Sequence, residues 1–348
     1  MPATLKDVAT LANVSRATAC LALNGKEVNE DTRKKVLEAA KKLNYYKSSI
    51  ARNLITGKSN TIGLYILNSD KSPNLTEECS YFYLLIKGVI AEIEKHGYTF
   101  NFEEGNWNDV LENGFIVKKA YSRSIDGMVI IPQYVYQYSF IPELEKVKFP
   151  YVIVNPSSPV NGKNSIVVDN SKGVALAVEY FHSVGIKNVG FVNGPKNHYD
   201  AVVREKSFIE NILRYGMSLH NGCIYYGDFT IEGGYGAARE MISKGHVPQA
   251  IFCANDYMAA GAMCALREKG LEIPKDVSII GFDDIDVSRA VYPALTTLNY
   301  SIFEVGKSAA SRLLQLINGE NVGNSALSIA TKLMVRDSCV RGLAGNDT

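Results

Sequence analysis

The 348-residue sequence predicts an α/β protein: a small N-terminal all-α helix-turn-helix domain, then a body of two doubly wound lobes with parallel sheets. Three observations predict it. Over the first sixty residues, apolar side chains recur at helical spacing and are mostly small. From Thr61 onward, short β-rich runs alternate with amphipathic stretches of helix length. The charge is also divided: residues 1–60 hold eleven Lys and Arg against five Asp and Glu, a net of +6, inside a chain whose net charge is +1. A basic head on an acidic body suits a phosphate-binding module joined to a soluble one.

The head comes first. Thr4 with Asp7 three residues on is a capping-box variant, so a helix starts at Leu5 and puts Leu5, Val8, Ala9 and Ala12 on one face. Ala12-Asn13-Val14 turns the chain, since Asn tolerates the left-handed backbone of a sharp reversal. Ser15 caps a second helix whose Ala19, Ala22 and Leu23 point inward. Asn29 caps a third, with Val36, Ala39, Ala40 and Leu43 as its apolar stripe. Such a pair of helices lays its second member in the DNA major groove, and the start of that helix presents Ser15, Arg16, Ala17 and Thr18. Arg16 either pairs with a guanine edge, giving about 1–3 kcal/mol of base discrimination, or contacts phosphate. Ala17 reaches a thymine methyl at most. The domain is expected over residues 1–47, a hinge or linker over 48–59 and the body over 60–348.

In the body, strands are expected at Ile62–Leu67, Thr99–Phe102, Gly127–Ile131, Tyr151–Val154, Ile166–Val168, Val189–Val192, Cys223–Tyr226, Ala250–Cys253 and Val277–Gly281. Helices are expected at Tyr81–His96, Ser171–Val184, Ala201–Tyr215, Ile231–Lys244 and Tyr257–Lys269. The run from Asn155 to Gly162, rich in Pro, Ser and Asn, predicts a crossover between the lobes. Two doubly wound lobes bind ligands where the carboxyl ends of their strands face a shared cleft. Arg204 after the Asn193-Gly194-Pro195 turn, Asp228-Phe229, Asn255-Asp256 and Asp283-Asp284 all sit at such ends. Carboxylates, amides and a guanidinium suit neighbouring hydroxyls, and aromatic faces suit the apolar side of a sugar ring. Arg204 and Asp283 are expected to bind ligand and not to hold the fold together. Asp256 is expected mainly to cap the helix after it, and Asp284 to brace its loop.

Six cysteines form no Cys-x-x-Cys pair and several lie in apolar runs, which predicts buried free thiols and neither a metal site nor a disulfide. No apolar run is long enough to span a bilayer, and the N-terminus lacks the apolar core of a signal peptide. A cytoplasmic protein without cofactor or membrane contact is expected. The five histidines show no metal spacing, no serine sits in a nucleophile elbow and "GFVNGPK" lacks the phosphate-loop pattern, so no enzyme chemistry is indicated.

Three stretches, "TLKDVATLANVSRATACLALNG", "VNEDTRKKVLEAAKKLNY" and "ARNLITGKSNTIGL", resemble the LacI/GalR family of bacterial transcription regulators in order and spacing, and the resemblance runs to the C-terminus. It implies a repressor that binds a palindromic operator as a homodimer, under the control of a small-molecule effector, plausible classes being a sugar or sugar derivative. It implies an effector domain of the periplasmic-binding-protein type I fold, with further crossovers near 284–300 and 319–328. It assigns DNA contacts to Thr4, Ser15, Arg16, Ala17, Thr18, Leu21, Asn24, Ala51 and Leu54, and effector contacts to Tyr81, Phe82, Asn155, Arg204, Phe229, Asn255 and Asp283. Leu54 then matches the leucine that wedges open a base step, although a linker leucine packed on Ile50 accounts for it too. The sequence departs from the family where Cys20 and Leu21 replace a Ser-Arg pair, and where the stretch from Asn68 to Ser80 replaces a shorter turn. The alternative from another class is a soluble solute-binding protein of a transport system.

Overall fold

The computed structural model describes residues 3–46, 57–68, 80–106, 114–135, 138–157 and 160–339. The chain divides into two compact units, 1–59 and 60–348.

The first unit holds α1 (Leu5–Leu11), α2 (Arg16–Leu23) and α3 (Glu30–Lys42). The capping box is formed: the Asp7 amide donates to the Thr4 hydroxyl at 3.4 Å and the Thr4 amide to the Asp7 carboxylate at 2.9 Å. Asn13 makes the turn at φ 53°, and the Ser15 hydroxyl accepts from the Thr18 amide at 3.0 Å. The core consists of Val8, Val36 and six alanines: Ala9, Ala12, Ala19, Ala22, Ala39 and Ala40. Methyl-sized side chains let three short helices approach closely with little apolar surface to bury. Glu30 and Asp31 open α3 while Lys41 and Lys42 close it, complementing the helix dipole.

The second unit has two parallel-sheet lobes. The N-lobe is built from β1 (Thr61–Asn68), α4 (Ser80–Ile93), β2 (Thr99–Asn106), α5 (Phe115–Tyr121), β3 (Gly127–Pro132), α6 (Ile141–Lys146), β4 (Tyr151–Val154) and β5 (Ser165–Val168). The C-lobe follows with α7 (Asn170–Ser183), β6 (Asn188–Asn193), α8 (Tyr199–Arg214), β7 (Ser218–Tyr226), α9 (Ile231–Ser243), β8 (Ala250–Cys253), α10 (Asp256–Glu268), β9 (Ser278–Phe282), α11 (Val287–Ala290) and β10 (Thr296–Asn299). The chain then returns α12 (Ile302–Ile317) and β11 (Leu327–Ile329) to the N-lobe and gives β12 (Lys332–Met334) to the C-lobe. The sheet orders are β11-β5-β4-β3-β1-β2 and β12-β10-β9-β8-β6-β7, with only the β10–β12 pair antiparallel among the described strands. Strands β3, β4, β8 and β9 are buried along their whole length, as parallel strands covered on both faces must be.

Two helices cross at glycines. A Cβ on Gly88 of α4 would meet the Phe303 carbonyl oxygen, and one on Gly306 of α12 would meet that of Leu85, so the returning helix packs backbone to backbone on the N-lobe.

Several boundaries differ from the sequence expectation. The run 155–162 is not a crossover, because β5 follows it and pairs in parallel with β4 inside the same sheet. The chain stays within one lobe here and first changes lobe after Val168. The later crossings fall between β10 and α12 and between β11 and β12, a few residues beyond 284–300 and 319–328, since β10, β11 and β12 are three- or four-residue strands with polar members. Strand β7 begins at Ser218, ahead of the expected Cys223, because the ladder with β6 slips between Val189 and Phe191 and continues through an Asn-Gly pair that resembles a turn. Cys223, Cys253 and Cys339 are buried free thiols, but Cys264 is exposed on α10 and Cys20 half-buried. Ala51, Leu54 and Cys79 lie outside the described residues. No described helix is long and apolar enough to cross a membrane.

Candidate functional site

Two surfaces carry candidate residues, one in each unit. On the head, Arg16, Ala17 and Leu21 are exposed along α2, with Leu21 39% exposed although apolar. The Ser15 and Thr18 hydroxyls lie 2.8 Å apart. Asn24 donates its amide to the Cys20 sulfur at 3.3 Å, and Thr4 is exposed with its hydroxyl bonded to Asp7 at 2.7 Å.

In the body, all seven of Tyr81, Phe82, Asn155, Arg204, Phe229, Asn255 and Asp283 line one cleft between the lobes, with an empty volume of about 620 Å³ including its mouth. Both sheets aim their carboxyl ends at it, which is what brings together residues far apart in sequence. Three of the seven have left-handed backbone: Asn155 at φ 48°, Phe229 at 69° and Asp283 at 114°. An aromatic residue there is strained, and strain of this kind collects at ligand sites. The Phe229 ring lies so close to Gly194 that a Cβ at 194 would overlap it.

Each side chain has a measurable hold. Arg204 is 4% exposed; its Nε donates to the Asn170 side-chain oxygen at 2.9 Å, its Nη1 donates to the Ala254 carbonyl, and its guanidinium stacks 3.8 Å from the Phe282 ring centre. Its Nη2 faces Asp283 at 4.0 Å. Arg204 therefore does hold the C-lobe together, contrary to the expectation that it only binds ligand. Asp283 accepts from the Tyr300 hydroxyl at 2.9 Å. Burial pushes its pKa up to about 7, against the pull of Arg204 and that hydrogen bond. Asn155 accepts from the Val168 amide at 2.8 Å and donates to Asp200 at 3.2 Å. Asn255 is the cap of α10, accepting from the Met258 amide at 2.9 Å and donating to the Phe229 carbonyl at 2.9 Å. This corrects the role given to Asp256, which is wholly buried and instead accepts from the Ile285 amide at 2.9 Å and from Thr297 at 2.5 Å. Asp284 braces its loop through Ser288, Arg289, Asn299 and Arg336. Phe82 is core, its ring edge-on to Tyr81 at 5.0 Å.

Sequence reasoning missed Gln133, His198, Asp200 and Tyr300, which complete the polar lining. His198 caps α8 and packs edge-on against Tyr134 and Phe229. Burial pushes its pKa down to about 4, with Asp200 opposing and Arg204 adding to the drop, so it is neutral near pH 7. Asp200 accepts from Asn155 of the N-lobe and from Asn170 of the C-lobe. The lobes also meet through main chain: Tyr134 bridges His198, Val135 donates to the Asn197 carbonyl at 3.0 Å, and Tyr199 donates to that of Gln133 at 3.1 Å. A His and an Asp two residues apart just after a strand-ending Gly-Pro were the available signal.

Residues 4–48 match the family described as bacterial regulatory proteins, lacI family, and residues 178–339 match the periplasmic binding protein-like domain. The probable HTH-type transcriptional repressor ExuR of Bacillus subtilis is 31% identical over 97% of this chain and 98% of its own. The chain belongs to the LacI family. As a LacI-family member it is a DNA-binding transcriptional regulator. Its fold matches a lac repressor dimer bound to operator and the anti-inducer ONPF, with a TM-score of 0.86 and 26% identity over 97% of this chain and 99% of that one. It also matches a complex of the regulator CelR with cellobiose, with a TM-score of 0.71 and 27% identity over 97% and 100%.

Proposed function

We propose that this LacI-family regulator acts in the cytosol as a homodimeric repressor on a palindromic operator, and that a sugar or sugar derivative bound in the cleft changes its grip on DNA. The observation that carries the reading is the convergence of seven dispersed residues, three of them with left-handed backbone, on one cleft between two lobes. The CelR complex with cellobiose, 27% identical, supports the ligand class.

In this reading Arg16 reads a base, Ser15 and Thr18 hold phosphates, Thr4, Ala17, Leu21 and Asn24 complete the head's contacts, and Ala51 and Leu54 act at the minor groove. Leu21, where the family often has a polar residue, gives an apolar contact and a different operator half-site. In the cleft Phe229 and Tyr81 lie against a ring face, while Arg204 and Asp283 pair with hydroxyls. The mechanism is linkage: a ligand that prefers one arrangement of the lobes shifts the population, and with it the competence for DNA.

A gel-shift titration against the DNA upstream of the protein's own gene, with and without monosaccharides and cellobiose, tests it. A specific shift that a sugar strengthens or releases is the expected result. Equal binding to random DNA, unchanged by every sugar, contradicts it.

A further inference from the structure

One polar side chain on the cleft wall has no partner among the described residues. Gln133 follows β3 and is 4% exposed, and neither its amide oxygen nor its amide nitrogen has a hydrogen-bond partner among the described residues. Its main chain is fully used, the N–H donating to the Leu67 carbonyl at 3.3 Å and the carbonyl accepting from Tyr199 at 3.1 Å. Those main-chain bonds hold residue 133 at the seam between the lobes, with its side chain buried. A buried carboxamide left unpaired is rare in native proteins, and a methionine would fill the same space without the desolvation. What satisfies a carboxamide is one donor and one acceptor side by side, which two neighbouring hydroxyls supply. Ile131, Pro132, Val154 and Phe82 around it are apolar, and of the polar N-lobe members Asn155 is already spent on Val168 and Asp200, while both side-chain atoms of Gln133 remain unbonded among the described residues.

The opposite wall sets the charge. Arg204 is the only cation among the described residues lining the cleft, and two of its three nitrogens are spent on Asn170 and Ala254. Asp200 and Asp283 stand against it, and His198 is buried as a neutral imidazole. No positive charge is left over for an acid.

We propose that Gln133 is the specificity-determining residue of the N-lobe wall, and that the effector is an electrically neutral polyol whose adjacent hydroxyls pair with its carboxamide, sugar acids and phosphosugars being rejected. This rests on the reading of the cleft as the effector site and narrows it. A site built to hydrogen-bond a hydroxyl discriminates strongly against ligands that lack it, because its own polar groups are then left unpaired.

The test uses the full chain, with thermal shift to find binders and titration calorimetry to rank them. The probes are glucose, galactose and ribose, each beside a charged counterpart: glucuronate, galacturonate and ribose 5-phosphate. The expected result is that a neutral probe binds at least about tenfold more tightly than its charged counterpart. Gln133→Met should melt no lower than wild type without sugar, and should bind that neutral probe at least about tenfold more weakly. Tighter binding of a charged probe, or no binding of any neutral one, overturns the proposal. Unchanged affinity in Gln133→Met, with Asp283→Asn abolishing binding, removes Gln133 and leaves the effector site standing. Unchanged affinity in both variants removes the site as well.

Discussion

Arg16 and Asp283 are the residues whose chemistry is easiest to interrogate. Arg16 projects from the exposed start of the second head helix. Arg16→Ala should relax operator preference at one base pair per half-site, costing about 1–3 kcal/mol there, and binding measured across a library of single-base variants checks it. An equal loss on every sequence makes it a phosphate contact. For Asp283 the prediction is about pH. Its pKa in the folded protein is raised to about 7, so the folded state holds the proton more tightly than the unfolded one. Its contribution to stability is present below about pH 4, the unfolded value, and is lost as pH rises toward 7. Asp283→Asn should therefore melt progressively higher relative to wild type as pH goes from 4 to 8 without ligand. His198 works in the opposite direction between about 4 and 6.5, so the comparison must be between the two proteins at each pH. A constant difference counts against the burial argument. Arg204, Phe229, Asn255 and Asp283 were legible in the sequence because they sit at or just after strand ends that point at the cleft, whereas His198 and Asp200, at the start of α8, were not. Gln133 and Tyr300 were not, since a lone amide after a proline and a tyrosine after an asparagine carry no pattern of their own.

At the scale of elements, the crossing of the N-lobe's first helix with the returning long helix leaves no room for a methyl group. Gly306→Ala would drive a methyl into the Leu85 carbonyl, so the two helices must part. Overpacking of this kind costs about 1–3 kcal/mol, and a lowered midpoint in denaturant unfolding of the full chain should show it. A midpoint equal to wild type would mean that the helices slide freely. The capped helices and the long apolar strands could be read from sequence, because caps and alternation are local signals. The three short strands after Leu295 were not legible as strands. They are defined by which sheet they join, Thr296 facing Ile280 and Leu327 facing Ile166, and that pairing is non-local.

For the whole molecule, the uneven charge sets the character of DNA binding. The positive charge is concentrated in residues 1–60, so association should release counterions from two half-sites. The logarithm of operator affinity should fall linearly and steeply with the logarithm of salt concentration, with a slope roughly in proportion to the phosphates contacted. Fluorescence anisotropy between 50 and 200 mM salt measures it. A flat response would show that the basic head does not meet the backbone. The body should answer to ligand instead, its melting temperature rising with concentration as binding to the folded state alone requires.

The threefold passage of the chain between lobes has a consequence for how the protein is born. The described helices of the head end at Lys42, so that unit needs no later sequence to complete its core. The N-lobe is different: its sheet waits for Leu327–Ile329, and the C-lobe for Lys332–Met334. During synthesis the part that grips DNA is finished while the part that senses is still an open sheet edge, held until Lys332–Met334 has left the ribosome. The fold of the reading head is thus complete before either sheet behind the sensing cleft is closed.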